Sequence, residues 1–377
     1  MLRRIDLQNS SQQANRKIAP AADQFEVSIM GPGRGECIVL HLGNNDWCIV
    51  DSCLDRQSAQ PVSVEYMQNL DDAALDGVKL IVATHWHDDH IRGLAKLVEL
   101  VPNAKFCCSS ALNSAQFRKL VGLAAEGTSE NSGLSEFRKI YGLLLERRKN
   151  VPADLVAPIL ANENKCVLYL DGEQRDCLAQ VTALSPSDGK VKFAIEAFAK
   201  SLPTTGDDQK RIVVNANDTS VALWVQIGEQ HVLLGADLEH TDREGEGWMA
   251  VMSSFQGKNK AHIYKIPHHG SSNAHYQAVW DRLLVENPVA VVTPYSSGST
   301  PLPRPSDLDR MKALTDALFC TSSGTSRLPN RDAVVERFAK SVRRKTVGGQ
   351  PGHVRVRWSK THPIPTVELF NSAYKVS

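Results

Sequence analysis

The stretch His85-Trp86-His87-Asp88-Asp89-His90, followed by Gly93, places three imidazoles beside carboxylates within six residues. It directly follows the apolar run 79–83 and Thr84, a pattern that predicts a buried strand whose polar end enters a pocket. Protonated together, the three rings would repel one another, and buried neutral rings would need a partner for every nitrogen. A divalent cation meets both conditions, because neutral imidazole is the commonest metal-binding side chain and a carboxylate can complete the site. The stretch therefore predicts a metal site at the end of a strand.

The composition is typical of an ordinary soluble globular protein. The 377 residues include 43 basic and 42 acidic side chains, which gives a net charge of +1. This balance gives no support for tight non-specific binding to nucleic acid, although it does not exclude a local basic groove. No apolar run approaches the roughly 20 residues that a membrane span needs, so we expect no membrane association.

The first 24 residues predict a flexible lead-in rather than a signal peptide, because Arg3 and Arg4 are followed by no apolar segment. The eight cysteines are scattered, mostly in apolar contexts that resemble strands. This pattern favours buried free thiols in a reducing compartment over a disulfide framework. We therefore expect a cytoplasmic protein without disulfides.

Short strands and turns predominate from about residue 25. Alternating apolar runs with turn signals between them predict hairpins at 37–50, 219–235 and 353–370. Helical spacing of apolar residues predicts helices over 91–101, 111–125, 133–149 and 306–318. The two helices within 110–150 predict an insertion, and residues 321–377 a C-terminal extension of strands and helix.

Metal-competent side chains also follow other predicted strands. Asp51, Asp237 and the pair His268-His269 each come after an apolar run, and Asp218 lies in a polar loop before another. Such side chains converge when strand ends share one edge of a layered sheet. Asp51 is interpreted as a carboxylate that orients a metal-binding histidine rather than as a ligand.

Plain structural interpretations stand beside these. A turn after a strand explains Asp237 taken alone, and a polar turn before a helix explains His268-His269. The run Glu146-Arg147-Arg148-Lys149 fits a solvated helix end. Its functional alternative is a cap over the active site whose cations meet an anionic substrate.

The string His85-x-His87-x-Asp89-His90-x-x-Gly93 resembles the signature of the metallo-β-lactamase-fold hydrolases. Further segments resemble the branch found as the hydrolase domain of bacterial DNA-uptake (ComEC-type) proteins; they lie at 33–40, 215–223, 233–239 and 265–271. The resemblance covers about 25–320. It implies an α/β (α+β) fold, a four-layer αββα sandwich with metals in a groove between two sheets, in one hydrolase domain over 25–377.

The resemblance implies a role for each matching residue. His85 and His87 would hold one metal ion, and Asp89 and His90 would hold the second. Asp237 would bridge both ions.

For the second ion the resemblance implies one more imidazole. His268 would complete the site, because it comes first after the strand, and His269 would then donate a hydrogen bond or handle a proton; the choice between them stays open. In most of the family a third imidazole of the first site lies four residues before the equivalent of Ser220, where this chain has Ala216. Asp218 or an asparagine carbonyl replaces it, or that site is weak, or only one ion binds. We expect two divalent ions, with zinc as the first candidate. Manganese is the alternative, since an oxygen ligand in place of the imidazole favours a harder ion.

These roles predict a metal-dependent hydrolase that uses a metal-activated hydroxide, with Asp89, Asp237 and His269 as the catalytic residues. The favoured activity is that of a phosphodiesterase or nuclease, with a nucleic acid or nucleotide as substrate. One alternative is hydrolysis of a carboxylic ester, thioester, lactone or amide. Another is an effector subunit that a protein partner activates by docking on the helices within 111–149.

Overall fold

The computed structural model describes residues 15–55, 57–123, 132–149, 152, 155–171, 177–203, 215–296, 301–323 and 351–377. Residues 1–14 of the expected lead-in, 324–350 of the expected extension and the predicted helical positions 124 and 125 lie outside these ranges.

Most of the described chain is organised around two mixed sheets. Their strands are β1 (Gln24–Gly31), β2 (Cys37–His41), β3 (Trp47–Val50), β4 (Val78–Ala83), β5 (Lys105–Ser109), β6 (Ile159–Ala161), β7 (Lys165–Leu170), β8 (Ala179–Ala183), β9 (Leu223–Ile227), β10 (Gln230–Leu234), β11 (Ala261–Lys265), β12 (Leu284–Val292), β13 (Leu318–Cys320), β14 (Gly352–Ser359), β15 (Thr366–Phe370) and β16 (Tyr374–Lys375). The first sheet has the order β15-β14-β1-β2-β3-β4-β5-β6, and the second has the order β16-β13-β12-β11-β10-β9-β8-β7. Strands β3 to β6 run parallel to one another, as do β10 to β13. Their carboxyl ends therefore lie at a common edge of each sheet.

Helices connect the strands and cover the outer faces. They are α1 (Val62–Leu70), α2 (Asp88–Ile91), α3 (Leu94–Leu100), α4 (Ala115–Leu123), α5 (Ser132–Arg147), α6 (Asp188–Ser201), α7 (Gly247–Ser254), α8 (Gln277–Leu283) and α9 (Pro305–Lys312). None of the helices in the described ranges is long and apolar enough to cross a membrane.

Three hydrophobic cores separate four layers. In β3, Cys48 and Val50 face a core shared by the two sheets, whereas Trp47 and Ile49 face a core formed with the helices α1 and α3 to α6. The period of two in a strand produces this alternation. A third core packs the second sheet against α7, α8 and α9. The expected four-layer αββα sandwich is confirmed.

The three predicted hairpins are confirmed as the antiparallel pairs β2–β3, β9–β10 and β14–β15. The C-terminal strands also complete both sheets, because β14 pairs with β1 and β16 pairs with β13. None of the eight cysteines, all of which lie in the described ranges, forms a disulfide, and six of them are buried.

Two predicted helices are corrected. The helix expected at 91–101 is divided into α2 and α3 by Gly93, whose φ is +83°. A Cβ atom there would lie 2.4 Å from Leu54 Cδ2, so the close approach of the 54–61 segment requires glycine. The helix expected at 306–318 ends at Lys312, and strand β13 begins at Leu318.

The helical insertion packs largely as a core element. Leu134, Phe137, Ile140 and Leu144 of α5 are buried against the first sheet and its helices. Arg147 is also buried and donates to the carbonyl oxygens at the end of α3. The apolar face that sequence reasoning considered for docking is therefore mainly interior.

Candidate metal centre

Four strand ends meet at one edge of the sandwich. Asp51 follows β3 and His85 follows β4 in the first sheet, while Asp237 follows β10 and His269 follows β11 in the second. The two sheets are joined beside them, because the backbone N–H of Val221 donates to Thr84 O at 3.1 Å. Residues distant in sequence therefore share one polar cluster.

The imidazole nitrogens of this cluster lie close to carboxylate oxygens. His85 Nε2 lies 3.7 Å from Asp237 Oδ2, and His90 Nε2 lies 3.3 Å from Asp237 Oδ1. His269 Nε2 lies 3.0 Å from Asp89 Oδ2 and 3.9 Å from Asp237 Oδ2. Asp89 Oδ2 is also 3.8 Å from His90 Nε2. His87 lies on the exposed side, with its Nδ1 3.2 Å from His85 Nε2.

The three buried rings share one orientation. The Nδ1 of His90 lies 2.7 Å from Asp51 Oδ2, and the Nδ1 of His269 lies 2.9 Å from the carbonyl oxygen of Thr293. Since both partners are acceptors, each Nδ1 carries the proton and donates it away from the cluster. The Nδ1 of His85 lies 3.0 Å from Thr84 Oγ1, whose own proton goes to Asp51. Each ring therefore points its Nε2 into the cluster.

This orientation fits a divalent cation. A neutral ring that donates from Nδ1 has a lone pair on Nε2, and here each Nε2 faces a carboxylate, which is also an acceptor. His90 Nε2 and Asp237 Oδ1 are buried and have no hydrogen-bond partner among the described residues. Three overlapping groups of potential ligand atoms result, namely His85, His90 and Asp237, then Asp89, His90 and His269, and behind them Glu36, Asp51 and His90. A proton or a cation is needed between these atoms. Imidazole nitrogens and carboxylate oxygens are ligands that zinc-like ions take in proteins.

The electrostatics of the cluster favour positive charge. Burial opposes a charge on the His90 ring, but the carboxylates of Asp237, Glu36 and Asp89 outweigh it and raise the pKa of the ring. Burial acts to raise the pKa of Asp237, but the His90 and His269 rings overcome this effect and lower it well below its ordinary range. For His85, burial dominates and lowers the pKa, which keeps that ring neutral.

Asp51 contacts His90 from behind, which is consistent with its interpretation as an orienting carboxylate. Its Oδ1 accepts from the backbone N–H of Thr84 at 2.8 Å, and its Oδ2 accepts from Thr84 Oγ1 at 2.7 Å and from the His90 ring. Because all of these bonds are buried, the ring of His90 has little freedom to turn. Such partners hold metal-binding histidines in one tautomer and orientation.

Sequence reasoning missed a buried ion pair behind the cluster. Lys265 Nζ lies 2.7 Å from Glu36 Oε2, and neither side chain has significant exposure. Lys265 also donates to Ile266 O at 2.9 Å, and Thr293 Oγ1 donates to the Glu36 carboxylate. Glu36 Oε1 is 3.9 Å from His90 Nδ1. The available signal was a lysine near the end of the mainly apolar run 261–266.

Backbone strain concentrates at the same place. Asp51, Ala236, His268 and His269 have φ values of 60°, 46°, 45° and 53°, which are rare for residues other than glycine. They are four of the ten such residues in the described chain. Strained backbone persists where surrounding structure enforces it, and it clusters at functional sites.

The expected choice of His268 over His269 is revised. His268 is 20% exposed and turns outward, with its Nδ1 3.1 Å from Asn273 Oδ1 and 3.4 Å from Glu239 Oε1. The successive left-handed residues turn the chain so that the second imidazole, rather than the first, enters the cluster. His269 is therefore the better candidate ligand.

The expected use of Asp218 is also revised. Its Oδ1 lies 2.8 Å from Lys190 Nζ, which pairs equally closely with Glu246, so Asp218 is committed to an ion pair outside the cluster. Asn217 donates to Glu239 Oε1 at 2.8 Å and has a buried Oδ1 without a partner among the described residues. Of the two replacements considered for the absent imidazole, an asparagine carbonyl is the one that the geometry leaves available.

Comparison with known proteins agrees with this architecture. Residues 30–152 match the model of the metallo-beta-lactamase superfamily, a range that contains the early imidazole cluster. The chain has no significant match among curated proteins.

Solved structures with similar folds share little sequence. A metal-dependent hydrolase from Parabacteroides distasonis is 12% identical over 80% of this chain and 96% of its own, with a TM-score of 0.37. A metallo-beta-lactamase from Cronobacter sakazakii is 12% identical over 63% and 76%, with a TM-score of 0.32. YhfI from Bacillus subtilis, a metallo-beta-lactamase fold protein, is 13% identical over 64% and 70%, with a TM-score of 0.29. Likeness at this level carries no argument about substrate.

Proposed function

We propose that this chain, a metallo-beta-lactamase superfamily protein through its residues 30–152, is a metal-dependent hydrolase of phosphodiesters. The observation that carries the proposal is the shared orientation of His85, His90 and His269, each of which points an Nε2 lone pair at a carboxylate. A site arranged in this way is costly without a cation and complete with one.

The residues divide into two overlapping ligand sets. His85, His87 and Asp237 would hold one ion, with the Asn217 carbonyl as a candidate fourth ligand. Asp89, His90, His269 and Asp237 would hold the second. Because the second set has the same number of imidazoles and one more carboxylate, we expect it to bind the tighter ion, and we keep zinc as the first candidate and manganese as the alternative.

A divalent cation bound here supplies Lewis-acid chemistry and lowers the pKa of a water molecule toward about 7. The chain supplies the rest. Asp237 is buried between the two ligand sets, where its carboxylate is placed to orient a water molecule. Asp89 is less buried, with its Oδ2 3.0 Å from His269 Nε2, and His87 marks the exposed side from which a substrate would enter.

Phosphodiester hydrolysis is favoured because two adjacent ions can hold both the attacking and the leaving oxygens of that linkage. A nucleic acid or nucleotide as the substrate is supported by the resemblance to the hydrolase domain of DNA-uptake proteins, which is an argument from analogy. The balanced charge of the chain favours short single strands or nucleotides over long duplexes.

Metal content and turnover of matched variants test the ligand assignment. Asp237→Ala and His269→Ala should each lose bound metal, measured by inductively coupled plasma mass spectrometry, and should lose turnover by more than the roughly 10–100-fold typical of outer partners. Asp218→Ala and His268→Ala are the matched controls and should keep their metal. Retained metal and unchanged turnover in Asp237→Ala would remove this centre from the reaction.

Parallel assays of the metal-loaded protein test the substrate class. We expect turnover of bis(p-nitrophenyl) phosphate and of single-stranded DNA or RNA, and little of p-nitrophenyl acetate. Turnover of the acetate ester alone would replace the phosphodiester proposal with ester hydrolysis while leaving the metal centre intact.

A further inference from the structure

A second cavity lies on the helical insertion. It has a volume of about 840 Å³ and is formed by one face of α4, one face of α5 and the segment 156–160. No residue of the metal cluster lines it. We call it the insertion groove.

Arginines surround an apolar floor in the insertion groove. Arg138 and Arg148 come from the same stretch of chain and lie about 15 Å apart if the helical rise is followed between them. Between them are Tyr141 and Leu145, and Leu145 is 59% exposed, which is unusual for so large an apolar side chain beside a cavity. Arg118 approaches from α4, with its guanidinium carbon 5.3 Å from the centre of the Tyr141 ring.

The charge of the described groove lining is positive. Among the described residues that line it, none is acidic. Guanidinium groups bind carboxylates and phosphates through paired hydrogen bonds, and apolar floors bind hydrocarbon. The lining therefore suits a molecule that has an anionic end and an apolar body.

Two glycines keep the groove open. Gly122 of α4 and Gly142 of α5 both line it, and a Cβ atom at either position would meet nothing within 4 Å. Glycine in a helix interior is unfavourable relative to alanine, and neither position is explained by a close neighbour. The missing side chains leave space that a ligand can fill.

We propose that the insertion groove binds a small amphipathic anion, namely an apolar chain or ring system that ends in a carboxylate or a phosphate. Its volume lies within the range of about 300–1,000 Å³ that is usual for small-molecule sites. Walls on three sides favour such a ligand over a flat protein surface. This inference does not depend on the proposed hydrolase activity, because the two sites share no residue.

Isothermal titration calorimetry of the full-length protein tests the ligand class. Dodecyl phosphate and dodecanoate, each below its micelle concentration, should bind saturably at one site per chain. Inorganic phosphate tests binding of the anion alone, and dodecyl maltoside tests binding of the alkyl chain alone. Both should bind at least about tenfold more weakly than dodecyl phosphate, since a hydrogen bond to a charged group is worth a factor of this size.

Variants identify the groove as the binding site. Arg138→Gln removes a cation, and Gly142→Leu fills the cavity while improving helix propensity, so the second variant should remain folded and unfold at or above the wild-type temperature. Each should weaken dodecyl phosphate binding by about tenfold or more. Lys149→Gln is the matched control, because Lys149 is exposed beside Arg148 but does not line the groove, and its binding should equal wild type.

Several outcomes would overturn the proposal. Dodecyl phosphate binding that both groove variants leave unchanged would place the ligand elsewhere. Binding confined to anionic phospholipid vesicles would show a lipid surface in place of a small ligand. Binding of an acidic helical peptide, together with no binding of dodecyl phosphate or dodecanoate, would show a protein-docking groove.

Discussion

Lys265 and Glu36 form an ion pair beneath the metal cluster, and its burial sets how it responds to mutation. Lys265 ends β11 in the second sheet, and Glu36 precedes β2 in the first, so their contact at 2.7 Å also joins the sheets. Thr293 and the Ile266 carbonyl satisfy further hydrogen bonds of the pair. A buried pair of this kind is costly to break and much less costly to replace as a unit.

We therefore expect Lys265→Met to lower the free energy of unfolding by about 3–5 kcal/mol, because Glu36 is left as an uncompensated buried charge. The double variant Glu36→Gln/Lys265→Met should recover part of that loss. Urea unfolding of the four members of this double-mutant cycle gives the coupling energy. Additive losses from the two substitutions would show that the pair does not act as a unit.

At the residue scale, the sequence predicted most of the candidate centre. His85, Asp89, His90 and Asp237 lie together because each follows the end of a strand, and strand ends were predictable from apolar runs. Their role as ligands stays a proposal. His269 was misjudged because the choice depends on left-handed backbone, which no residue type in the His-His pair indicates.

The other contacts that the sequence did not predict join residues far apart in the chain. Asp218 pairs instead with Lys190, a residue of α6 that lies 28 positions earlier in the chain. The Glu36–Lys265 pair spans the two sheets. Local patterns identify polar residues at strand ends but cannot say which charged partner occupies them.

At the element scale, α5 begins against the loop that carries the candidate ligands His85 and His87. A Cβ atom at Gly133 would lie 2.0 Å from the carbonyl oxygen of Trp86, the residue between His85 and His87. The Trp86 ring is itself held by Phe117 of α4 and Phe198 of α6, at centroid distances of 5.3 and 5.7 Å. The insertion therefore fixes the position of the loop that carries the first two imidazoles.

Gly133→Ala should displace this loop, because the clash is with backbone and has no flexible side chain to relieve it. We expect weaker metal binding, measured by titration with a competing chelator, together with a lower unfolding temperature. Gly142→Ala is the matched control on the same helix. It meets nothing within 4 Å and should stabilise the protein by up to about 1 kcal/mol without changing metal affinity.

Metal affinity in Gly133→Ala equal to that of Gly142→Ala would show that α5 and the loop are not coupled.

Elements with local signals, such as the hairpins β2–β3 and β9–β10, were predictable from turn residues and alternation. The break at Gly93 was not, because it depends on how closely Leu54 approaches from a separate segment.

At the scale of the whole molecule, two buried histidines make stability depend on pH. Burial lowers the pKa of His353 well below its ordinary value and lowers that of His41 to about 4. Both rings lie in the first sheet, in β14 and β2, away from the metal cluster. The unfolded chain binds protons at these positions near pH 6.5, whereas the folded chain does so only at lower pH.

The contribution of these two rings to the free energy of unfolding should therefore be complete above about pH 6.5 and fall as the pH drops toward about 4, by roughly 1.4 kcal/mol per pH unit for each ring. Urea unfolding at pH 7.5 and 5.5 measures this loss. His353→Gln should reduce it, and the exposed control His362→Gln should leave it unchanged. An equal loss in wild type and His353→Gln would contradict the assignment.

The candidate centre takes His85, Asp89 and His90 from one sheet and Asp237 and His269 from the other. Neither sheet by itself offers a complete coordination sphere, so an ion gains its full set of ligands only after the halves of the sandwich have docked. We expect an ion bound here to hold the two halves together, because its binding energy would add to the cohesion of the sandwich. Assembly of the molecule and acquisition of its chemistry would then be a single event.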